Sequence, residues 1–325
     1  MAPLQVRGIA RRFADPDELA ASMPNVAAEY LPLGGGVPFT GGYRRLFLGP
    51  LLAQRMEMDA PSIVRGEGRQ PGMAGVVIPL DLPATRGASV NGEALRTDEV
   101  VLLTGGCEFA WRFDGAAHWL SLVFEDDMLA TLASDGRPGA MVRRLRAARG
   151  PLAALCAGID AATRLSGSPE GLGTARAFAG LDLALREQLR AVLASAEPAA
   201  AAGRATAAPL RLIRAAEAYL DAHRDTPVYL DQLCAALGVP PRTLSSAFRS
   251  VLGVGPIGYL KLRRLLLVRR VLLAGGRDGA LVKCAALAHG FWHLGHFARD
   301  YRATFGESPS ETLEGRLAGR AAFSG

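Results

Sequence analysis

LVKCAALAHGFWHLGHFARDYRATFG, residues 281–306, is the stretch whose reading decides this chain. Val282, Ala285, Ala286 and Leu287 recur at helical spacing, and Gly290 then permits the left-handed backbone a tight turn needs. Phe291 can plug the angle between two helices. The following helix turns Phe297 and Tyr301 inward and leaves His293, His296 and Arg299 among those on its outer side. The same layout stands upstream in YLDQLCAALGVPPRTLSSAFRSVLG (229–253). A short helix with Leu230, Leu233, Cys234 and Leu237 runs into Gly238, Val239 is the plug, and Pro240-Pro241 opens a helix where a missing N–H costs nothing. There Leu244, Phe248 and Val251 face inward, and Arg242, Thr243, Ser245, Ser246 and Arg249 face outward. Each unit reads as a helix-turn-helix.

Between them lies PIGYLKLRRLLLVRRVLLAG (256–275), which as one helix of about 18 residues spans ~27 Å. Such a connector can hold two reading helices about one duplex turn, ~34 Å, apart. Its Lys261, Arg263, Arg264, Arg269 and Arg270 are expected to face phosphates, with affinity from counterion release. LRLIRAAEAYLDAHRD (210–225) is an amphipathic helix ended by Pro227. Charge supports this reading. Residues 1–208 hold 21 Lys+Arg against 22 Asp+Glu, residues 209–325 hold 16 against 9, and the whole chain is +6. The positive excess therefore sits in the last third, as for a polyanion partner of that part alone.

The first half reads as sheet. VVIPL (76–80), VVLLT (100–104), FAWRF (109–113) and WLSLVF (119–124) are β-branched and aromatic, and segments 43–58 and 62–70 can add strands. Asn91-Gly92 and Asp114-Gly115 predict tight hairpins. An antiparallel barrel or sandwich over roughly residues 25–127 follows. It contains one histidine, His118, no HxH or HxxxH spacing and no GxSxG turn. We therefore expect no catalytic residues, no metal and no cofactor, and take the chain not to be an enzyme. Trp111, Phe113, His118 and Trp119 are the candidates for lining a small-molecule cavity, though the same aromatics can simply fill the core.

Residues 126–195 change to an Ala/Leu/Arg-rich helical pattern. Its seam of Leu181, Leu185, Leu189 and Leu193 can pack on the barrel or against a second copy. SAEPAAAAGRATAAP (195–209) lacks large apolar anchors and reads as a linker. The expected class is α+β and multidomain: an antiparallel β-barrel sensor (1–127), a helical transmitter or dimerisation region (128–195), a linker (196–208) and an all-α DNA-binding domain (209–325). No uninterrupted apolar run is long enough for a membrane span, and the amino-terminal segment has no secretory core. Cys107, Cys156, Cys234 and Cys284 stand far apart, as reduced thiols of a cytoplasmic protein would.

Three stretches, LGVPPRTLSSAFR, GYLKLRRLLLVRRVLL and GFWHLGHFARDYRATFGESPSETL (290–313), resemble the DNA-binding domain of the AraC/XylS family of transcription regulators. The resemblance implies two helix-turn-helix units on a long helix and control of transcription from double-stranded promoter DNA, as an activator working with RNA polymerase. It also implies a small-molecule effector in a cupin-like barrel, and a homodimer is a further expectation. Arg242, Ser245 and Ser246 match base-facing positions of the first unit; Leu294, Gly295, His296 and Arg299 match those of the second. Many members carry Ser at Pro240 and Arg at Ser246, so the first unit has fewer strong polar contacts here, and Leu294 and Gly295 offer no bidentate pairing. FWHLGHF is similar to the branch that regulates aromatic-carboxylate and amine catabolism. A barrel that binds a protein partner, or an enzymatic cupin fused to a DNA-binding module, is the alternative. His289, His293 and His296 do not make a closed metal site, and Trp292 is expected to cap its helix by packing.

Overall fold

The computed structural model describes residues 7–49, 51–68, 72–82, 87–125, 129, 141–166, 175–199, 207–224, 226–275 and 280–314. The amino-terminal part is two antiparallel sheets laid face to face. The larger contains β1 (Arg7–Phe13), β3 (Gly41–Leu48), β4 (Leu51–Met58), β6 (Met73–Asp81), β9 (Glu99–Thr104), β11 (Ala117–Glu125), β12 (Val142–Arg146) and β13 (Glu197–Pro198), in the order β1-β3-β4-β11-β6-β9-β12-β13. The smaller has the order β2-β5-β10-β7-β8, from β2 (Val26–Pro32), β5 (Ser62–Gly68), β7 (Ala88–Val90), β8 (Glu93–Leu95) and β10 (Glu108–Phe113). α1 (Pro16–Ala21) joins β1 to β2; Asp15 caps it by accepting from the Asp17 and Glu18 amides.

Period-two alternation decides what each face meets. Inward residues of both sheets, among them Tyr30, Tyr43, Met56, Val64, Trp111, Phe113 and Trp119, fill the space between them. Both outer faces are also covered, which is why strands such as VVLLT read as continuous apolar runs. On the larger sheet Leu120, Leu122 and Phe124 pack under α2 (Arg149–Ser166) and α3 (Ala175–Ala194), where Leu185, Leu189 and Val192 are buried beside Leu155 and Ile159. The leucine seam of α3 is thus spent on the barrel. On the smaller sheet Leu31, Ile63 and Ala110 join the core of the carboxy-terminal helices.

Three expectations need correction. Asn91-Gly92 closes the β7–β8 hairpin with positive φ at both residues, but Asp114-Gly115 closes none. β10 pairs with β5 and β7 in one sheet while β11 pairs with β4 and β6 in the other, so this turn crosses between sheets. Val142–Arg146, inside the stretch assigned to helix, is a strand on β9, because Val142 and Leu145 find an open sheet edge there. Glu197–Pro198, inside the assigned linker, pairs with that strand, and the Ala199 amide donates to Arg144 O at 3.1 Å. Residues 200–206 of the linker and most of 126–140 lie outside the described residues.

The carboxy-terminal part is helical: α4 (Ala207–Ala222), α5 (Leu230–Leu237), α6 (Pro241–Leu252), α7 (Pro256–Ala274), α8 (Ala280–Ala288) and α9 (Leu294–Phe305). Its core centres on Phe248, Tyr259 and Tyr301, all fully buried, with Phe248 edge-on to Tyr259 at 5.3 Å. Burying each such side chain contributes about 1.5–3 kcal/mol. Among the described residues no helix is long and apolar enough to cross a membrane.

Candidate nucleic-acid interface

The two turns are built by the same bonds. After α5, the Gly238 amide donates to Ala235 O (3.3 Å) and the Val239 amide to Cys234 O (3.1 Å); after α8, the Gly290 amide donates to Leu287 O (3.0 Å) and the Phe291 amide to Ala286 O (2.9 Å). This paired closure satisfies the last carbonyls of a helix and needs a left-handed residue, supplied by glycine at φ +63° and +76°. Phe291 is buried as the plug, its ring tilted against that of Phe297 with centroids 5.1 Å apart.

Each turn presents the first turns of its second helix to solvent. On α6, Leu244, Phe248 and Val251 are buried, Arg242, Thr243, Ser246 and Arg249 are exposed, and Ser245 is half-buried. On α9, Phe297 and Tyr301 are buried while His293, Leu294, Gly295, His296 and Arg299 are exposed. Among the described residues no ion pair engages Arg242, Arg249 or Arg299. His293 and His296 stand 5.9 Å apart by ring centroid, whereas His289 is buried. Among the described residues no cluster of three or more His, Cys, Asp or Glu could hold a metal. Trp292 does not pack against its helix; its ring is in solvent at 71% exposure.

The basic connector behaves differently from the expectation. Arg263 and Arg269 are buried. Arg263 donates to Asp221 (2.7 Å), Arg269 to Asp15 (3.2 Å) and, as an ion pair, to Glu307, and Arg270 to Asp17 (2.7 Å) and Glu29 (2.9 Å). Lys261 reaches Asp300 at 3.1 Å, and Arg264 lies over the Tyr229 and Phe291 rings at 5.2 and 5.0 Å. Acidic residues far away in the chain have taken four of the five cations that spacing alone would aim at phosphates, and aromatic rings hold the fifth, Arg264.

Much of that acid comes from the barrel, which grips this half closely. Arg65 on β5 pairs with Glu29 on β2 (2.7 Å), with Glu217 on α4 and with Asp221 on α4 (3.4 Å). Burial pushes the Glu217 carboxyl above its ordinary range, and Arg65, Tyr259 and Arg263 offset it only in part. Burial also raises Glu29 and Asp221, but there the surrounding guanidiniums prevail and hold both below the usual carboxylate range. At the far ends of the reading helices, the Gly35 and Gly36 amides each donate to Ala303 O (3.1 Å), and Arg112 donates to Leu252 O (3.1 Å). The barrel therefore holds both helices by their carboxy-terminal ends and leaves their amino-terminal turns open. Between the smaller sheet and α4 lies a cleft of 720 Å3, lined by Glu29, Arg65, Phe109, Ile213, Glu217 and Asp221 among others. Sequence reasoning missed this cluster, because its members come from β2, β5, α4 and α7, which no local pattern joins.

The residues expected to line a ligand cavity are not together. Trp111, Phe113 and Trp119 are stacked in the barrel core, with centroids 6.0 and 5.1 Å apart. His118 is on the opposite face of β11, 40% exposed, in a polar cavity of 600 Å3 with Arg44, Asp81 and Arg164.

This is a protein with an antiparallel barrel docked on a double helix-turn-helix, and residues 233–315 match the family described as a helix-turn-helix domain. The carboxy-terminal region is thus a helix-turn-helix domain of the AraC/XylS type. It is 38% identical over 102 residues to the probable thc operon regulatory protein of Rhodococcus erythropolis, covering 31% of each chain. With the XylDLEGF operon transcriptional activator 2 of Pseudomonas putida it shares 40% over 86 residues, 26% of this chain and 55% of that one. The chain thus spans about a third to about half the length of these relatives. Among solved structures, a probable AraC family transcriptional regulator from Rhodopseudomonas palustris CGA009 is 38% identical, with 33% of this chain and 97% of that chain covered and a TM-score of 0.30. The AraC-like transcriptional activator CuxR is 19% identical, with 80% and 94% covered and a TM-score of 0.41.

Proposed function

We propose that the protein is a sequence-specific regulator of transcription, an activator, that binds double-stranded promoter DNA through the amino-terminal turns of α6 and α9. One observation carries this reading: the outward residues of both helices, the half-buried Ser245 apart, stand exposed on two identically built turns, while Arg263, Arg269 and Arg270 of α7 are paired internally with carboxylates. Arg242, Thr243, Ser245, Ser246 and Arg249 then address one major groove, and His293, Leu294, Gly295, His296 and Arg299 the next, with phosphate contacts fixing register and base contacts fixing sequence. The relatives named for operon control support transcription as the process, and an activator so placed would work with RNA polymerase as a partner.

Control by a small molecule is the second element of the proposal. The cleft between the smaller sheet and α4 supports it better than the barrel interior, because stacked aromatics fill the interior and the cleft touches both halves. A thermal-shift screen of the full chain with aromatic carboxylates and amines tests this part; stabilisation by none of them counts against effector control. For the DNA reading, the full chain should recover a consensus duplex from a random pool, and Arg242→Ala should weaken its binding by roughly 5- to 150-fold. Equal affinity for recovered and scrambled duplexes at moderate salt would refute sequence-specific binding.

A further inference from the structure

The two reading helices carry different chemistry at their tips. α6 exposes Arg242, Thr243, Ser246 and Arg249, all capable of hydrogen bonding. α9 opens instead on Trp292, His293, Leu294 and Gly295, with Trp292 71% and Leu294 37% exposed. Nothing lies within 4 Å of the position a Gly295 side chain would take, so the backbone there is open to close approach. Leaving an indole and a leucine in water forgoes burial that this helical core grants to Phe291 and Phe297 one and three residues away. Neither Leu294 nor Gly295 has a side-chain donor or acceptor, and the indole has a single N–H. Trp292, Leu294 and Gly295 together thus offer base edges one side-chain donor and no acceptor, too little to tell their hydrogen-bonding patterns apart. The apolar feature that the major groove does offer is the 5-methyl group of thymine.

We propose that Trp292 and Leu294 form an apolar reading surface that recognises thymine methyl groups in the half-site of α9, while α6 reads its half-site by hydrogen bonds. The inference rests on the DNA-binding reading above and adds the base class and the residues responsible. His293 and His296 flank the apolar tip and supply polar contacts beside it, and Arg299, one turn further on, supplies charge.

The test uses the full chain and the duplex it recovers from a random pool, resynthesised with deoxyuridine at one thymine at a time. The expected result is a loss of about fourfold in affinity for each methyl that Leu294 or Trp292 covers, from the transfer value of one methyl-sized group. Leu294→Ala should lose discrimination at the methyl that Leu294 covers and keep it at any that Trp292 covers, and Leu294→Met, which keeps an apolar tip, should still discriminate at both. Both variants change an exposed side chain, and retained sensitivity to Arg242→Ala shows that the fold and the first unit are intact. Trp292 is also the exposed member of three tryptophans, since Trp111 and Trp119 are 5% and 9% exposed. Duplex should therefore shield the fluorescence of the full chain from acrylamide, and this shielding should vanish in Trp292→Phe. Uracil tolerated at every thymine, or discrimination unchanged in both Leu294→Ala and Trp292→Ala, overturns the proposal and leaves DNA binding standing. Recovery of no duplex at all overturns DNA binding itself.

Discussion

Arg65→Ala should undock the barrel from the helical half, and the structure sets the size of the effect. Arg65 is 17% exposed and contacts three carboxylates, Glu29, Glu217 and Asp221, at 16%, 11% and 36% exposure. Together with Arg263 and Arg270 these make a network of three acids and three guanidiniums across the interface, extended by Asp17 on Arg270 and Arg224 on Asp221. Removing Arg65 leaves Glu217 with Arg263 at 3.6 Å as its remaining ion-pair partner. Breaking a fully buried pair costs about 3–5 kcal/mol. Water reaches Asp221 and part of Arg65, so the lower end, about 3 kcal/mol, is expected. Because the set joins β2 and β5 to α4 and α7, that loss falls on docking, a shift of about 150-fold in the docking equilibrium. Denaturant unfolding of the full chain should change from one transition to two, and amides of β2 and β5 should exchange faster. Adding Glu217→Gln to Arg65→Ala should restore part of the loss, since it removes the acid left without its main partner. A cost below about 1 kcal/mol with unchanged exchange is the value of an exposed pair and would refute the interfacial role.

Three further outcomes follow from particular residues. Arg299→Ala should lower the slope of log affinity against log salt by about 0.9 if Arg299 meets a phosphate, whereas Arg269→Ala, held by Asp15 and Glu307, should leave the slope unchanged while lowering the melting temperature. Glu217→Gln should alter the pH profile on one side only. A raised carboxyl means the native state binds the proton more tightly than the unfolded chain, so its contribution falls as pH rises above about 4.5 through the raised value; Glu29 and Asp221, held low, contribute above the ordinary range and lose stability as pH falls. The variant should therefore flatten the loss on the higher-pH side and keep the acid-side loss, as read by urea titrations across pH. Gly92→Ala should cost about 1–2 kcal/mol in unfolding, since Gly92 sits at φ +84° and a Cβ would lie 2.3 Å from Ser250 O; Gly72→Ala, at φ +82° with nothing within 4 Å, isolates the backbone share.

Local pattern and tertiary pairing were unequally legible in the sequence. The two turns could be read because each depends on residues adjacent in the chain: a glycine in the left-handed region, an apolar plug one residue later and an apolar stripe on either side. The strands from Val76 to Phe124 could be read for the same reason. What failed depended on partners far away. Val142–Arg146 lies in an Ala/Leu/Arg-rich stretch of helical pattern and becomes a strand because β9 offers it an edge. Asp114-Gly115 has the residues of a hairpin and joins two sheets, since the pairing of β10 is settled by β5 and β7. Trp111, Phe113 and Trp119 share an inward direction, as alternation requires, but alternation cannot tell a lined cavity from a filled one.

The connector helix shows how the same limit bears on mechanism. A basic helix between two DNA-reading units suggests phosphate contact, but charge on a helix names only a need for anions, and here Asp15, Asp17, Glu29, Asp221, Asp300 and Glu307 meet it. Buried guanidiniums paired in this way add little net stability over apolar packing, but they penalise any arrangement in which a partner is lost. They therefore fix the orientation of α7 against the barrel. The barrel in turn holds Leu252 O at the end of α6 and Ala303 O near the end of α9. A displacement of the smaller sheet relative to α4, across the cleft that separates them, then has to move the carboxy-terminal anchors of both reading helices or break their hydrogen bonds. Coupling between that cleft and the exposed turns thus needs no flexible messenger, because the smaller sheet walls the cleft, anchors α6 through Arg112 on β10 and leads from β2 straight into the Gly35-Gly36 loop that anchors α9.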